Sequence, residues 1–180
     1  MSDPSGPSYL VVDTNVAVKW YLTEELEDEA LSLLEAGERG DVTLLAPDSL
    51  EPEFWNVLWQ RHRRGELSLD EVWDYWNAFE ESPLLMGEVL PLMTLGTEIS
   101  ANSGCIIYDA LFVALAESED TVVVTADETL LKVLEGTPYA KRGRISETQR
   151  AFSRTTEQLQ RSELPVVRPD LKHHERGAPV

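Results

Sequence analysis

The stretch YLVVDTNVAVKW, residues 9–20, decides the fold. Three apolar residues, Leu10-Val11-Val12, run straight into Asp13, and apolar residues resume after Thr14 and Asn15. The run predicts a buried strand over 9–13. A carboxylate at the tip of a buried strand is costly unless something pairs with it, so Asp13 asks for a partner elsewhere in the chain. Asn15 is placed to cap a short helix through Trp20 or Leu22.

Working outward, helical and extended segments alternate. Thr23 opens a helix to Gly37 or Gly40, with Leu26, Ala30, Leu33 and Leu34 on one face. Residues 42–46, VTLLA, read as a second strand closed by Pro47. A helix from Ser49 to Arg64 stops at Gly65. Ser68 and Glu71 have capping-box spacing and open a helix to Glu81. Residues 85–90 read as a weak strand or an extended linker, and a helix follows over Leu92–Ser100, before Asn102-Ser103-Gly104. YDALFVALAES, 108–118, reads as a strongly apolar helix and TVVVTA, 121–126, as a strand. Asp127 caps a last short helix to Glu135. Strands alternating with helices predict an α/β fold with a mainly parallel sheet.

That architecture draws four acids together. Open parallel sheets bind ligands outside the carboxyl ends of their strands, near the switch in strand order. Asp13 ends the first strand and Asp127 follows the strand at 121–126. Glu53 and Asp109 open helices that can point at the same crevice. Each has a plainer reading: Asp127 as an N-cap, the others as acids favoured in a first helical turn. As a set they are harder to dismiss, because Asp13 and Asp109 both lie within apolar surroundings. Converging carboxylates repel one another, and a divalent metal relieves that repulsion. Oxygen-only ligands favour Mg²⁺ or Mn²⁺ over zinc. Such an ion can lower the pKa of a bound water and hold a phosphate oxygen for in-line attack. His62 is the sole histidine before the tail, which excludes a two-histidine ribonuclease and a Ser/His/Asp triad. There is no Gly-rich phosphate loop.

The 180 residues carry a net charge of −18, unevenly spread. Residues 136–180 hold nine Lys/Arg and five Asp/Glu, a net of +4, which leaves −22 for the rest. Such a body disfavours broad electrostatic binding of nucleic acid. The basic cluster Arg61, His62, Arg63, Arg64 suits phosphates, or the negative end of a helix dipole. The single cysteine, Cys105, excludes an internal disulfide framework and fits a reducing cytoplasm. No apolar run approaches a membrane span or a targeting segment, so a cytoplasmic protein without membrane association is expected. Trp55 and Trp59, and Trp73 and Trp76, are helix-face pairs, read as packing between adjacent helices or as a partner groove.

Four blocks, in order, resemble the PIN domain family, the nuclease fold of VapC-type toxins. VVDTNVAVKW resembles its opening. APDSLEPEFWNVLWQ, 46–60, resembles its second block, IIYDALFVALAE, 106–117, its third, and VVVTADETLL, 122–131, its fourth. The resemblance implies a three-layer α/β/α domain with a mainly parallel sheet, usually dimeric. It implies a Mg²⁺- or Mn²⁺-dependent endoribonuclease, the toxin of a toxin–antitoxin pair, leaving a 5′-phosphate and a 3′-hydroxyl. By position the metal and catalytic residues are Asp13, Glu53, Asp109 and Asp127, with Thr14, Asn15 and Thr125 supporting them by hydrogen bonds. Arg61, Arg63 and Arg64 are candidate RNA contacts. Glu51, two residues from Glu53, falls on another helix face. RNA, an antitoxin and a second copy of the chain are the implied partners.

The chain divides into a PIN-like domain, 1–140, and an extension, 141–180, partly helical or disordered, whose Lys141, Arg142 and Arg144 are further candidate phosphate contacts. Two rival readings remain. A PIN-like body retained only for protein binding keeps the fold without the chemistry. A phosphatase with Asp13 as nucleophile needs a second Asp two residues on, where this chain has Asn15.

Overall fold

The computed structural model describes residues 8–22 and 27–143. In chain order the elements are β1 (Ser8–Val12), α1 (Thr14–Ala17), α2 (Glu27–Glu38), β2 (Val42–Pro47), α3 (Leu50–Arg63), α4 (Leu69–Glu80), β3 (Leu84–Gly87), α5 (Val89–Ser103), α6 (Ile107–Ser118), β4 (Val123–Val124) and α7 (Glu128–Leu134). A single 3-10 turn, Val18–Trp20, follows α1.

The sheet is wholly parallel, in the order β3-β2-β1-β4. Leu10 lies opposite Leu44, Leu44 opposite Leu84, and Val11 opposite Val123. The chain steps outward from β1 to β2 to β3, then returns across the sheet to β4. Parallel crossovers are right-handed, so α1–α4 cover one face and α5–α7 the other. The result is a three-layer α/β/α domain. The direction of winding reverses between β1 and β4, and a crevice forms there at the strand ends.

The core follows from these layers. Val11, Val12, Leu44, Ala46 and Val123 are buried in the sheet. Every residue of α6 from Ala110 to Ala116 is buried, because the helix packs on β1, β2 and β4 and is covered by α5. A helix apolar all round is expected of such a double-sided position. Gly96 permits the close approach: a Cβ there would lie 3.2 Å from Leu111. On the other face Phe54 stacks on Phe79 at 4.3 Å, joining α3 to α4.

Most expected elements form, with shifted ends. Ser68 and Glu71 make the reciprocal capping box. Residues 84–87 are a true strand paired to β2, where the sequence left a linker open. α5 begins three residues earlier than the apolar pattern suggests, since Pro91 is tolerated in a first turn, and it runs to Ser103, capped by Gly104 at φ 79°. The strand expected over 121–126 is only Val123–Val124; Thr125 and Ala126 bond to Asp13 and Asn15 instead. Asn15 is not a cap: Asp13 occupies the N-cap position of α1, and the Asn15 side chain reaches across to the residues after β4. Thr23 and Leu26 lie outside the described residues, as does the extension beyond 143.

Residues 142 and 143 meet the edge of the sheet. Gly143 forms a parallel bridge with Val123, and the Val123 N–H donates to the Arg142 carbonyl at 2.8 Å. The Arg142 guanidinium donates to Glu117 Oε2 at 2.6 Å, Asp120 Oδ1 at 2.8 Å and the Thr121 carbonyl at 3.1 Å. Arg142 is thus a structural tie at the sheet edge.

Candidate metal centre and active site

Asp13 directly follows the carboxyl end of β1 and is only 9% exposed. Its backbone N–H donates to the Val124 carbonyl at 3.0 Å, which fixes the two strand ends side by side. Thr125 then completes a compact network. Its hydroxyl donates to Asp13 Oδ2 at 2.5 Å and accepts from the Asp127 N–H at 2.9 Å and from Asn15 Nδ2 at 3.1 Å. One donor and two lone pairs are all in use. Asn15 Nδ2 also donates to Asp13 Oδ2 at 2.9 Å, while Asn15 Oδ1 accepts the Ala126 N–H at 2.9 Å. Thr125 and Asn15 therefore orient Asp13 and lock the loop carrying Asp127.

Glu53 stands in the first turn of α3, and its Oε2 accepts from the Thr14 hydroxyl at 2.8 Å. Its Oε1 is buried and has no hydrogen-bond partner among the described residues. Glu51 is exposed and no such bond is found for it among the described residues, in line with its different helix face. Asp109, in the first turn of α6, is half-buried and accepts no hydrogen bond from any described residue. Asp127 is the N-cap of α7, its Oδ1 accepting from Thr129 N at 2.7 Å and Leu130 N at 3.3 Å. Both sequence readings of Asp127 thus meet in one residue: Oδ1 caps the helix and Oδ2 is left without a donor among the described residues.

Asp13, Glu53 and Asp109 are all raised above the ordinary carboxylate range. Burial, followed by repulsion from Asp109 and Glu53, outweighs the Thr125 hydrogen bond and pushes Asp13 up to about 6. Burial also raises Glu53, against the Thr14 bond, with Asp109 adding repulsion. Asp109 is raised by burial and by the charge of Asp127. A buried, mutually repelling set of carboxylates, one holding an orphaned oxygen, is short of positive charge. Among the described residues no three acid, histidine or cysteine side chains stand close enough to grip an ion. In donor chemistry and charge the site fits a hard divalent cation: all-oxygen, anionic, with Glu53 Oε1 and the Asp109 carboxylate unengaged.

The arginine cluster lies elsewhere. Arg61, Arg63 and Arg64 close the C-terminal end of α3, about 15 Å along the helix from Glu53 at 1.5 Å per residue. Arg64 and Arg61 both pair with Glu66, while Arg63 is exposed. The tryptophans pack as helix neighbours: Trp55 stacks on Trp76 at 4.8 Å and meets Trp73 edge-on at 5.1 Å. Trp59 and Trp73 remain about half exposed.

Two residues were missed in the sequence. Asp48 Oδ1 accepts the Val89 N–H at 3.2 Å and so caps α5 from a distance. Ser49 has a buried hydroxyl with no partner among the described residues. The S-x-x-x-E spacing of Ser49 and Glu53 was the available signal.

Comparison with known proteins bears on the family and the fold. Ribonuclease VapC3 of Pyrobaculum aerophilum is 27% identical over 128 residues, spanning 67% of this chain and 91% of that protein. The crystal structure of PAE2754 from the same organism superposes with a TM-score of 0.60 at 20% identity, covering 84% of this chain and 96% of that one; at that identity the likeness is one of fold. The PIN domain model matches residues 10–135, well over half of the sequence, and the chain belongs to the PIN domain family.

Proposed function

We propose that this protein is a metal-dependent endoribonuclease, the toxin of a toxin–antitoxin pair. The observation that carries the proposal is the shared end of β1 and β4, where burial and neighbouring carboxylates raise the pKa values of Asp13, Glu53 and Asp109, and Glu53 keeps a buried oxygen unpaired. The ribonuclease named among its relatives points the same way.

Asp13, Glu53 and Asp109 would hold Mg²⁺ or Mn²⁺, with Asp127 joining directly or through water. When bound, the ion neutralises the carboxylates and lowers the pKa of a water for attack on a phosphodiester. The chain's own groups supply orientation. Thr125 and Asn15 hold Asp13 Oδ2, and Thr14 holds Glu53 Oε2. Two backbone N–H groups hold Asp127 Oδ1, leaving its second oxygen for the crevice. Fixing ligands in this way avoids reorganisation during reaction.

RNA is the proposed substrate, with exposed Arg63 as a secondary phosphate contact. The half-exposed face of Trp59, Leu69 and Trp73 on α3 and α4 supports an antitoxin segment as partner. A homodimer is proposed from the family, and exposed Leu90 and Met93 on α5 offer it apolar surface. Residues beyond 143 are proposed as an extension to the domain. Among the described residues no single helix is long and apolar enough to cross a membrane, and a cytoplasmic location is proposed.

The test is cleavage of a single-stranded RNA labelled at both ends, in Mn²⁺ and then in EDTA. Internal cuts bearing 5′-phosphates, abolished by EDTA, are expected. Cuts that persist at full rate in EDTA would refute the proposal.

A further inference from the structure

At the start of α3 two buried polar atoms lack partners among the described residues: Ser49 Oγ and Glu53 Oε1. They belong to residues four apart, and the Glu53 N–H donates to the Ser49 carbonyl at 3.3 Å, so both side chains stand over one strip of helix surface. Ser49 sits at the N-cap, but its backbone is helical (φ −62°, ψ −20°) and its hydroxyl makes no cap bond. The usual reason for a serine at this position is therefore missing. Its neighbour Asp48 serves another purpose, receiving the Val89 N–H. The Ser49 hydroxyl also favours the ionised form of Glu53, third among the influences on that carboxylate after burial and Thr14.

We propose that Ser49 is a positioning residue for Glu53, its hydroxyl donating to Oε1 while Thr14 donates to Oε2. An unpaired hydroxyl and an unpaired carboxylate oxygen buried on one strip are each costly, and one hydrogen bond between them satisfies both. Glu53 is then gripped through both oxygens, with its free lone pairs directed into the crevice. A glutamate has three rotatable bonds, and a second hydroxyl removes the remaining swing that Thr14 alone permits. The inference rests on the reading of this crevice as a metal site.

The test is Mn²⁺ binding to the full chain by calorimetry, with thermal melting in EDTA as the measure of folding. Ser49→Ala is expected to weaken Mn²⁺ binding about 10- to 100-fold, the usual loss for a residue that orients a metal ligand. Ser49→Thr keeps the hydroxyl and is expected to stay within about threefold of wild type. Should Ser49→Ala fail to fold, Ser49→Cys, similar in size but a weak donor, takes its place with the same expected loss. Wild-type affinity in folded Ser49→Ala would overturn the inference and leave the metal site standing. Equal losses in Ser49→Ala and Ser49→Thr would also overturn it, since the hydroxyl would then not be the agent. No Mn²⁺ binding by the wild-type protein would overturn the metal-site reading itself, and this inference with it.

Discussion

Replacing Asp13 by asparagine is expected to stabilise the metal-free protein at neutral pH. Asp13 is 9% exposed and its pKa rises from 3.8 to about 6 on folding. An acid with a raised folded pKa holds its proton more tightly in the folded state, so stability is fullest below about pH 4 and is lost as pH climbs to about 6. A shift from 3.8 to about 6 corresponds to a penalty on the order of 3 kcal/mol above pH 6, at 1.36 kcal/mol per unit. The substituted amide would keep the shape, place its carbonyl oxygen where Thr125 and Asn15 donate, and carry no charge. In EDTA at pH 7.5, Asp13→Asn should therefore melt roughly 6–12 °C above wild type, at about 2–4 °C per kcal/mol for a chain of this size. At pH 4 the two should converge. Excess Mn²⁺ should stabilise wild type, by about 2.7 kcal/mol at a hundred times Kd, and leave Asp13→Asn nearly unmoved. Melting curves at pH 4 and 7.5, with EDTA or Mn²⁺, read all four states. An Asp13→Asn protein no more stable than wild type at pH 7.5 in EDTA would refute the reasoning, as would a gap that persists at pH 4.

Three further outcomes follow from the geometry. Mn²⁺ affinity should fall as pH drops below about 6, roughly tenfold per unit once Asp13 is protonated, because a ligand must shed its proton; calorimetry from pH 7.5 to 5 checks it. Thr125→Val, near in shape, removes the hydroxyl that Asp13, Asn15 and Asp127 share and should cut RNA cleavage about 10- to 100-fold while circular dichroism stays unchanged. Arg142→Ala should lower stability to urea by about 1–2 kcal/mol, the scale of lost charge-assisted hydrogen bonds discounted for partly exposed partners, with no direct effect on the crevice.

The fold was legible wherever burial left a strong pattern. The run Leu10-Val11-Val12 and the apolar helix at Ala110–Ala116 announce two central elements because each is covered on both sides. β3 was faint because an edge strand of four residues needs only one buried contact, Leu84, and leaves Leu85 exposed. β4 was overextended because Thr125 and Ala126 look like strand yet bond across to Asp13 and Asn15. The four acids could be assembled from strand ends and helix starts alone, since a parallel sheet has one open end. What sequence could not reveal was the long-range role of single side chains: that Asn15 bridges β1 to β4 and does not cap α1, or that Arg142 is held by Glu117 and Asp120. The Asn15 and Arg142 roles depend on contacts between residues 22 to 111 positions apart, which no local pattern encodes.

The central claim is that the four acids form one catalytic metal site, and Asp109→Asn probes it most directly, because Asp109 carries no structural hydrogen bond among the described residues. The decisive measurement is the rate of single-stranded RNA cleavage in Mn²⁺ by wild type and Asp109→Asn, each shown to be folded by thermal melting. The account predicts a loss of at least about a hundredfold, or about 2.7 kcal/mol of transition-state stabilisation, with the melting temperature maintained or raised. Equal rates in the two folded proteins would contradict it.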